Sequence, residues 1–269
     1  MSRLGVLGWP VAHSLSPAIH NAALHALGLS EWRYQRLPVP PHLFEQTVRG
    51  LRGAGFLGGN VTIPHKQAAL ALATQPSPSA SVIGAANTLT FLGDGEIAAE
   101  NTDAPGLLAA LGFDPRGISV QVLGAGGSAR AAVWALLDAG AAEVNVWNRT
   151  PGRAQALATE LGGRAVAAPQ PAELLVNCTS VGLWVERSAT EDQALNQLSL
   201  SGDQTGEYLY VADLVYRSGS TTPLLAAAAA RGARTIDGLE ILVAQGALSL
   251  ERWTGRDVPR EIMRAAAHS

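Results

Sequence analysis

The sequence predicts an α/β protein of two domains, and three observations support this prediction. The chain has 269 residues, and dividing by roughly 150 residues per domain gives about two domains. Apolar runs of strand length alternate with helix-like segments along the whole chain, which is typical of parallel sheets covered by helices. A glycine-rich turn near the middle of the chain then joins a predicted strand to a predicted helix, as in a βαβ unit.

Composition excludes several classes of protein. Hydrophobic residues make up 47% of the chain and charged residues 15%, which argues against intrinsic disorder. The net charge of −3 provides no basic excess for a nucleic acid. The single cysteine, Cys178, cannot form an internal disulfide and fits a reducing compartment. The aliphatic run Leu224–Ala230 is far shorter than the ~20 residues of a membrane span. We therefore expect a cytoplasmic protein without nucleic-acid or membrane partners. Its expected partner is a small-molecule substrate, and it is expected to be a monomer or homodimer.

The first predicted domain covers residues 1–102 and is completed by residues 238–269. A strand is expected at Arg3–Gly8, followed by a helix that begins with Ser16 as N-cap and Pro17 at its first position and ends before Gly28. The remaining predicted strands are Trp32–Val39, Phe56–Ile63, Ala86–Leu92 and Glu96–Glu100, and the helices are Leu43–Arg52 and His65–Ala73. A further helix at Pro105–Leu111 is predicted just after the boundary.

The second predicted domain covers residues 103–237. Its predicted elements in chain order are a strand at Ile118–Leu123, a helix at Ser128–Ala139, strands at Val144–Trp147, Leu174–Cys178 and Tyr208–Ala212, and a helix at Pro223–Ala230. The polar, acidic stretch Glu186–Gly206 shows no period and is predicted to be a surface loop. Helices at Leu239–Trp253 and Arg260–Ala267 are expected to pack back on the first domain.

The glycine-rich turn is a candidate dinucleotide site. Gly124-Ala125-Gly126-Gly127-Ser128 follows a predicted strand and opens a helix, so the backbone could approach a pyrophosphate at the helix N-terminus. The alternative is a tight turn without a ligand.

The end of the next strand indicates which dinucleotide would bind. An NAD site needs an acidic residue there for the ribose 2′-hydroxyl, but the segment reads Asn148-Arg149-Thr150 with Arg153 one turn on, and Glu143 lies at the wrong end. Two guanidinium groups suit a 2′-phosphate, so NADP is the predicted cofactor. The alternative is that both arginines are ordinary surface charges.

One lysine stands out in the first domain. Of the 19 basic residues, all but Lys66 are arginine, and lysine exchanges a proton where arginine stays protonated. Polar side chains also follow several predicted strands, and such strand ends build ligand crevices in α/β sheets. A lysine beside an aspartate could take the hydroxyl proton during hydride transfer from a secondary alcohol. The alternative roles are helix caps and turn formers for the polar residues and a weak surface ion pair for Lys66.

Taken together, the ordered motifs resemble those of the shikimate dehydrogenase family over nearly the whole chain. The motifs are Ser-Leu-Ser-Pro at 14–17, Asn-Val-Thr-x-Pro-x-Lys at 60–66, Gly-Ala-x-Asn-Thr at 84–88, Asn-Thr-Asp at 101–103, Gly-Ala-Gly-Gly at 124–127, Asn-Arg-Thr at 148–150, Asn-x-Thr-Ser-x-Gly-Leu at 177–183, Asp-Leu-Val-Tyr at 213–216 and Asp-Gly-Leu through Gln at 237–245.

The resemblance implies an N-terminal α/β substrate domain, a Rossmann-type NADP domain, and the reversible NADP-dependent reduction of 3-dehydroshikimate to shikimate on the route to chorismate and the aromatic amino acids. It implies Lys66 and Asp103 as the catalytic pair. The implied substrate contacts are Ser14, Ser16, Thr62, Asn87, Tyr216 and Gln245, with Asn60 and Thr102 as neighbours. The implied NADP contacts are Gly124, Ala125, Gly126, Gly127, Ser128, Asn148, Arg149, Thr150 and Arg153, with Gly238 and the backbone of Thr179–Val181 at the nicotinamide end.

Three other functions stay open at this point: an NAD-linked quinate/shikimate dehydrogenase, an NADP-linked reductase for another cyclic hydroxy acid, and a non-catalytic NADP-responsive protein. The chain also departs from the family pattern, with Ala104-Pro105 after Asp103 and Glu240 where glycine is common. No metal site is expected, because the histidines lack the spacing of a helical ligand pair.

Overall fold

The computed structural model describes residues 2–183, 191–217 and 219–268. The chain divides into two compact units, which are Met1–Gly106 with Leu242–Ser269 (unit 1) and Leu107–Ile241 (unit 2). The predicted domain boundaries lie at the first residues of two helices, Asp103–Leu111 and Gly238–Thr254, whereas the division of the structure falls inside both helices.

The elements of residues 2–111 follow the predicted order, except that one strand and one helix were not predicted. They are β1 (Ser2–Gly8), α1 (Ser16–Ala26), β2 (Trp32–Pro38), α2 (Phe44–Leu51), β3 (Phe56–Val61), α3 (Lys66–Ala71), β4 (Gln75–Pro76), α4 (Pro78–Ile83), β5 (Thr88–Phe91), β6 (Ile97–Glu100) and α5 (Asp103–Leu111). Within the described residues these strands form a six-stranded sheet in the order β2-β1-β3-β5-β6-β4. The neighbours of β1 run parallel to it, whereas β5 runs antiparallel to both β3 and β6.

The two helices at the C-terminal end of the chain belong with this sheet. They are α10 (Gly238–Thr254) and α11 (Arg260–Ala267), and α6 to α9 precede them in unit 2. A Cβ at Gly246 of α10 would stand 3.3 Å from both Ile19 of α1 and Met263 of α11, so the missing side chain lets the three helices approach closely. Ile19 and Met263 are fully buried. The expected return of the C-terminal helices to the first domain is thereby confirmed.

Gly58 on β3 illustrates how closely α10 packs on this sheet. The indole Nε1 of Trp253 donates a hydrogen bond of 3.0 Å to the Leu89 carbonyl oxygen, and both groups lie where a Cβ of residue 58 would be. We expect Gly58→Ala to lower the free energy of unfolding by about 1–3 kcal/mol, the usual cost of overpacking, as measured by urea denaturation.

Gly50 provides the matched control for this substitution. It lies in α2, and a Cβ there would meet nothing within 4 Å. Gly50→Ala should therefore stabilise the protein by about 0.5–1 kcal/mol, because alanine loses less backbone entropy in a helix. Equal effects of both substitutions would contradict the packing that we describe for Trp253.

Unit 2 is built around an all-parallel sheet. Its elements are β7 (Ser119–Leu123), α6 (Gly127–Asp138), β8 (Glu143–Trp147), α7 (Pro151–Leu161), β9 (Arg164–Ala165), β10 (Leu174–Asn177), α8 (Glu191–Gln197), β11 (Tyr210–Asp213), α9 (Pro223–Ala230) and β12 (Arg234–Ile236). In the described part of this unit the strand order is β12-β11-β10-β7-β8-β9, the order of a Rossmann fold. The order reverses between β7 and β10, where the first and fourth strands of the unit are neighbours. The predicted α/β fold class is thus confirmed.

Two sequence predictions about individual elements are wrong. Ser16 is not the N-cap of α1; it is the first helical residue, and its backbone N–H donates to Ser14 Oγ at 3.3 Å. The stretch predicted as a loop contains α8 and a 3₁₀ turn at Asp203–Glu207. Leu195 and Leu198 are buried there against a shared apolar cluster, and a helix this short shows little periodicity. The part of that stretch at residues 186–190 lies outside the described residues.

Two helices, α4 and α7, were not predicted although their ends carry ordinary signals. Each has proline in its first turn, and each is followed by glycine in the left-handed region, Gly84 at φ 72° and Gly162 at φ 93°. Among the described residues, no helix is both long enough and apolar enough to cross a membrane.

Candidate active site

The sole lysine forms an ion pair with the aspartate that the motifs singled out. Lys66 Nζ lies 2.5 Å from Asp103 Oδ2, and the two side chains are 11% and 12% exposed. Lys66 is the first residue of α3, and Asp103 is the first residue of α5. The preceding residue, His65, is buried, stacks on Phe44 and contacts the Val39 carbonyl oxygen at 2.7 Å, which fixes the start of α3. Such a shielded pair loses less of its attraction to solvent than a surface pair does.

Asn101 leaves the Asp103 carboxylate available for this contact. The Asn101 side chain accepts a hydrogen bond from the Ala104 N–H at 3.2 Å and donates one to the Ala85 carbonyl at 2.9 Å. It therefore satisfies a backbone donor of the first turn of α5, which a capping aspartate would otherwise do. Asp103 Oδ1 instead accepts from Asn87 Nδ2 at 2.8 Å.

Asn87 connects the ion pair to further predicted site residues. Its Nδ2 lies 2.9 Å from Thr102 Oγ1 and 3.1 Å from Gln245 Oε1, and its Oδ1 accepts from the Thr102 N–H at 2.7 Å. Asn87 is only 2% exposed. These bonds fix which edge of the amide faces Asp103, so the carboxylate is oriented from one side by an amide and from the other by the lysine.

A buried polar cluster underlies Asn87, and two of its members were not predicted. Asn60 Nδ2 donates to Ser249 Oγ at 2.8 Å, and Tyr34 OH donates to Asn60 Oδ1 at 2.8 Å. Ser249 Oγ also lies within 2.9–3.1 Å of Thr88 Oγ1 and Thr102 Oγ1. Ser249 follows Gln245 by one helical turn on α10, and this spacing is the sequence signal that could have found it. Tyr34 carried no comparable signal.

Gly106, three residues after Asp103, serves the same site. A Cβ at Gly106 would stand 2.7 Å from the Cβ of Gln245 and 2.9 Å from its backbone, so only glycine lets α5 lie this close to α10. The departure Ala104-Pro105 falls in the first turn of α5, where proline is tolerated. The unusual residues therefore leave the helix intact.

The Ser14–Ser16 segment is held in place by contacts to its backbone carbonyl oxygens. The Arg36 guanidinium donates two hydrogen bonds to the Ser14 carbonyl, from Nε at 3.0 Å and from Nη2 at 2.7 Å. His20 Nδ1 contacts the Ser16 carbonyl oxygen at 2.8 Å. Ser16 is already the first helical residue and its side chain forms no helix cap, and both serines are only 4% exposed. Burial and the nearby Arg36 charge together lower the pKa of His13, which precedes this segment.

His20 should make the stability of the protein depend on pH. It is fully buried and stacks on Tyr34 with ring centroids 4.0 Å apart, and burial lowers its pKa from 6.5 to about 4. Below pH 6.5 the unfolded chain therefore binds a proton that the folded chain does not. We expect His20 to lower the free energy of unfolding by up to about 1.4 kcal/mol per pH unit as the pH falls from 6.5 toward 4.

The measurement is urea denaturation of the wild type and of His20→Phe between pH 4.5 and 7.5. The comparison has to be made between variants, because burial raises the pKa of Asp213 to about 7 and gives a slope of the opposite sign. The stability difference between wild type and His20→Phe should shrink as the pH falls. His25→Gln on the exposed side of the same helix is the control; a pH-independent difference for His20→Phe would contradict the burial of a neutral imidazole.

The predicted phosphate turn of unit 2 lies at the strand-order reversal. Gly124 has φ 110°, and a Cβ there would stand 3.2 Å from the carbonyl of Cys178, which follows β10. Gly126 precedes α6, which has no side-chain cap at its N-terminus. A Cβ at Gly126 would meet nothing within 4 Å. Uncapped N–H groups at the start of a helix, with open space at Gly126, can accept an anion.

The residues after β8 surround a second helix N-terminus. Thr150 precedes α7 and makes no side-chain cap bond, while Asn148 Nδ2 donates to the Thr150 carbonyl at 2.9 Å. Arg149 and Arg153 are exposed, and the guanidinium group of neither forms an ion pair or hydrogen bond with another described residue. Glu143 lies at the opposite end of β8, where no ribose contact was expected, and it forms an ion pair of 2.8 Å with Arg164. Two free guanidinium groups beside a helix N-terminus favour a phosphate.

Of the remaining predicted residues, Thr62 lies in unit 1, where its backbone N–H donates to the Leu7 carbonyl at 2.9 Å, and the others lie in unit 2. Tyr216 is half-buried in the segment after β11. A Cβ at Gly238 would stand 2.6–2.9 Å from the carbonyl oxygens of residues 213–215, so glycine is required there by close backbone packing. The loop at Thr179–Val181 is closed by the Val181 N–H, which donates to Thr179 Oγ1 at 3.1 Å. Among the described residues no group of three or more potential ligands could hold a metal ion.

A parallel sheet in Rossmann order with a glycine turn at its reversal is typical of dinucleotide-dependent enzymes. Family models agree with this class. Residues 6–89 match a shikimate dehydrogenase substrate binding domain, residues 108–182 match shikimate/quinate 5-dehydrogenase, and residues 238–268 match a shikimate 5′-dehydrogenase C-terminal domain.

Relatives extend this match over nearly the whole chain. The chain is 43% identical to a shikimate dehydrogenase (NADP(+)) of Methanopyrus kandleri, over 98% of this chain and 93% of that protein. Its fold superposes with TM-score 0.86 on a Thermus thermophilus shikimate 5-dehydrogenase in complex with NADP(H) and shikimate, at 44% identity over 99% and 98% of the two chains. A 5-ketofructose reductase of Gluconobacter sp. strain CHM43 superposes with TM-score 0.82 at 31% identity, over 98% and 97%.

The chain belongs to the shikimate dehydrogenase family, which confirms the resemblance that its motifs indicated.

Proposed function

We propose that this protein is an NADP-dependent oxidoreductase that reversibly reduces 3-dehydroshikimate to shikimate, with Lys66 and Asp103 as its acid–base pair. The observation that carries the proposal is the 2.5 Å contact between these two shielded side chains, oriented by Asn87. This reaction would place the protein on the route to chorismate and the aromatic amino acids.

The pair has the chemistry that the reaction needs. NADP(H), when bound, supplies or accepts the hydride at the carbon that carries the oxygen. Lys66 gives a proton to the carbonyl oxygen during reduction and takes it from the hydroxyl during oxidation. Asp103 orients the ammonium group and balances its charge, and a positioned acid or base of this kind contributes about 10²–10⁴ in rate.

We assign the substrate to unit 1. Shikimate is a carboxylate with three hydroxyl groups, and the polar side chains around Lys66 supply donors and acceptors for such a molecule. Ser14, Ser16, Thr62, Asn87 and Gln245 are the contacts that we propose in this unit, with Asn60 and Thr102 behind them. Tyr216 is proposed as a further contact from unit 2.

We assign NADP to unit 2, and its residues fit that cofactor. The open turn at Gly124–Ser128 would hold the pyrophosphate at the start of α6. Arg149 and Arg153, with Asn148 and Thr150, would hold the 2′-phosphate. The backbone of Thr179–Val181 and Gly238 would lie at the nicotinamide end. The absence of an acidic residue after β8 fits NADP better than NAD.

A second candidate substrate follows from one structural neighbour. The 5-ketofructose reductase has the same fold at 31% identity, so this framework also carries a reductase for an uncharged sugar-derived ketone. The higher identity to shikimate dehydrogenases and the paired serines favour a carboxylate substrate for this chain.

The deciding experiment measures absorbance of the reduced nicotinamide with purified protein. Wells contain shikimate or quinate with NADP⁺ or NAD⁺, and 5-ketofructose with NADPH. We expect turnover with shikimate and NADP⁺ to exceed every other pair. Preference for NAD⁺ or quinate would contradict the proposed specificity, and turnover of 5-ketofructose alone would replace the proposed substrate. Binding of NADP⁺ without any turnover would contradict the proposed catalysis.

A further inference from the structure

A buried carboxylate in unit 2 joins three separate segments of the chain. Asp213, the last residue of β11, is 1% exposed. Its Oδ1 accepts hydrogen bonds from Asn177 Nδ2 at 2.8 Å and from the Val215 N–H at 3.0 Å, and its Oδ2 accepts from Thr222 Oγ1 at 2.6 Å. Asn177 ends β10, Val215 lies in the segment before Tyr216, and Thr222 precedes α9.

Asn177 extends the connection to the loop after β10. Its Oδ1 accepts from the Thr179 N–H at 3.0 Å and from Thr179 Oγ1 at 2.8 Å. Thr179 Oγ1 in turn accepts from the Val181 N–H at 3.1 Å. The shape of the loop at 178–181 therefore depends on an amide whose other end is held by Asp213.

The segment at 213–215 is also confined from its other side. The backbone of Gly238 packs against its three carbonyl oxygens, where a Cβ would come within 2.6–2.9 Å. The segment thus lies between Gly238 and the hydrogen bonds of its own aspartate, which leaves its backbone little freedom.

A carboxylate at this position costs stability. Burial raises the pKa of Asp213 to about 7, the three donors oppose this shift, and the charge of Asp237 adds to it. An apolar side chain would avoid the desolvation of a charge, but it could not accept hydrogen bonds from three segments. Loops at the carboxyl ends of parallel strands form the ligand crevice of such sheets, and both loops that Asp213 joins are of this kind.

We propose that Asp213 is a positioning residue that fixes the loop at 178–181 and the segment at 214–216 relative to each other for hydride transfer. This proposal rests on the proposed function, because those loops carry the assigned nicotinamide contacts and Tyr216. Asp213 itself touches neither substrate nor cofactor in this assignment.

Amide hydrogen exchange measures how firmly the two loops are held, because the backbone N–H groups of Thr179, Val181 and Val215 are donors in the hydrogen-bond network around Asp213. In Asp213→Asn only one acceptor oxygen remains for three donors, so we expect exchange in peptides covering 178–183 and 214–217 to rise about tenfold. Exchange in β8 should stay unchanged. Unchanged exchange in both loops, or an equal rise in β8, would overturn the proposal.

Threonine variants separate the network from a general loss of packing. Thr222→Val removes one donor and should speed exchange at 214–217, whereas Thr222→Ser keeps the hydroxyl and should restore wild-type exchange. Thr205→Val is the control for loss of a buried hydroxyl, because Thr205 is also buried and its hydroxyl donates to the Gly202 carbonyl at 2.6 Å. Because Thr222 also caps α9 through the Leu225 N–H, the rescue by Thr222→Ser, which keeps the cap, is compared with it. An effect of Thr205→Val as large as that of Thr222→Val would overturn the proposal.

Kinetics then links the positioning to the reaction. Asp213→Asn should lower kcat with shikimate and NADP⁺ about 10- to 100-fold, the range expected from misplaced reacting groups. Its affinity for adenosine 2′,5′-bisphosphate, which lacks the nicotinamide, should not change. A kcat equal to that of the wild type would overturn the role in hydride transfer. Absence of turnover in the wild type would instead refute the proposed function, and the exchange data would still decide whether Asp213 positions the loops.

Discussion

Replacing Lys66 with methionine should lower kcat for shikimate oxidation by about 10²- to 10⁴-fold, the usual contribution of a positioned general acid or base. Methionine keeps much of the side-chain volume but can neither take nor give a proton. The affinity for NADP⁺ should stay near that of the wild type, because the residues assigned to the cofactor lie in unit 2 and Lys66 lies in unit 1. Steady-state kinetics and a fluorescence titration with NADPH make the two measurements.

Two further variants show which property of Lys66 matters. Lys66→Arg keeps the positive charge but not the proton exchange, so it should remain as inactive as Lys66→Met. Arg252→Met removes an ion pair of the same unit between an exposed arginine and the partly buried Glu100, and should keep wild-type activity. Activity of Lys66→Met within tenfold of the wild type would refute the catalytic assignment, and full activity of Lys66→Arg would leave charge alone as the role of Lys66.

Removal of both arginines after β8 should have the second-largest effect. We expect Arg149→Ala/Arg153→Ala to raise KM for NADP⁺ by about 10²- to 10³-fold, since hydrogen bonds between charged groups contribute roughly 1.5–3 kcal/mol each. KM for NAD⁺ should hardly change, because NAD⁺ lacks the 2′-phosphate. The difference between the two cofactors should also shrink as the salt concentration rises.

The control for this pair is Arg116→Ala, an exposed arginine of the same unit whose contact with Asp114 is 3.7 Å long. It should leave both KM values unchanged. If the double variant weakened NAD⁺ and NADP⁺ equally, the arginines would stabilise the loop rather than recognise the phosphate.

Much of the fold could be predicted from local patterns. The helices Pro223–Ala230 and Arg260–Ala267 have their predicted bounds, because proline or its neighbour marks each start. The short helix α8 was missed, since its burial depends on an apolar cluster formed by distant segments. Ser16 was predicted to be the N-cap of α1. Its backbone N–H instead donates a hydrogen bond to the Ser14 hydroxyl, and the helix starts one residue earlier than predicted.

The candidate site, like the fold, could be predicted only in part. Lys66 and Asp103 were singled out by residue type and by motif, but their contact joins positions 37 residues apart in the chain. Ser249 and Tyr34 escaped notice because a serine on a helix and a tyrosine on a strand are ordinary residues until their partners are known. Asp213 belonged to a recognised motif, whereas the three donors that hold it became visible only in the structure.

The sequence by itself determined the α/β class, the family and the residue types available for chemistry, because strand and helix periodicity, glycine turns and ordered motifs are local properties of the chain. Only the tertiary structure decided which groups are partners: that Asn101 caps α5 and leaves Asp103 to Lys66, and that Asp213 joins two loops. The physical reason is that a hydrogen bond or ion pair depends on distances of about 3 Å between atoms, and packing of distant segments sets those distances.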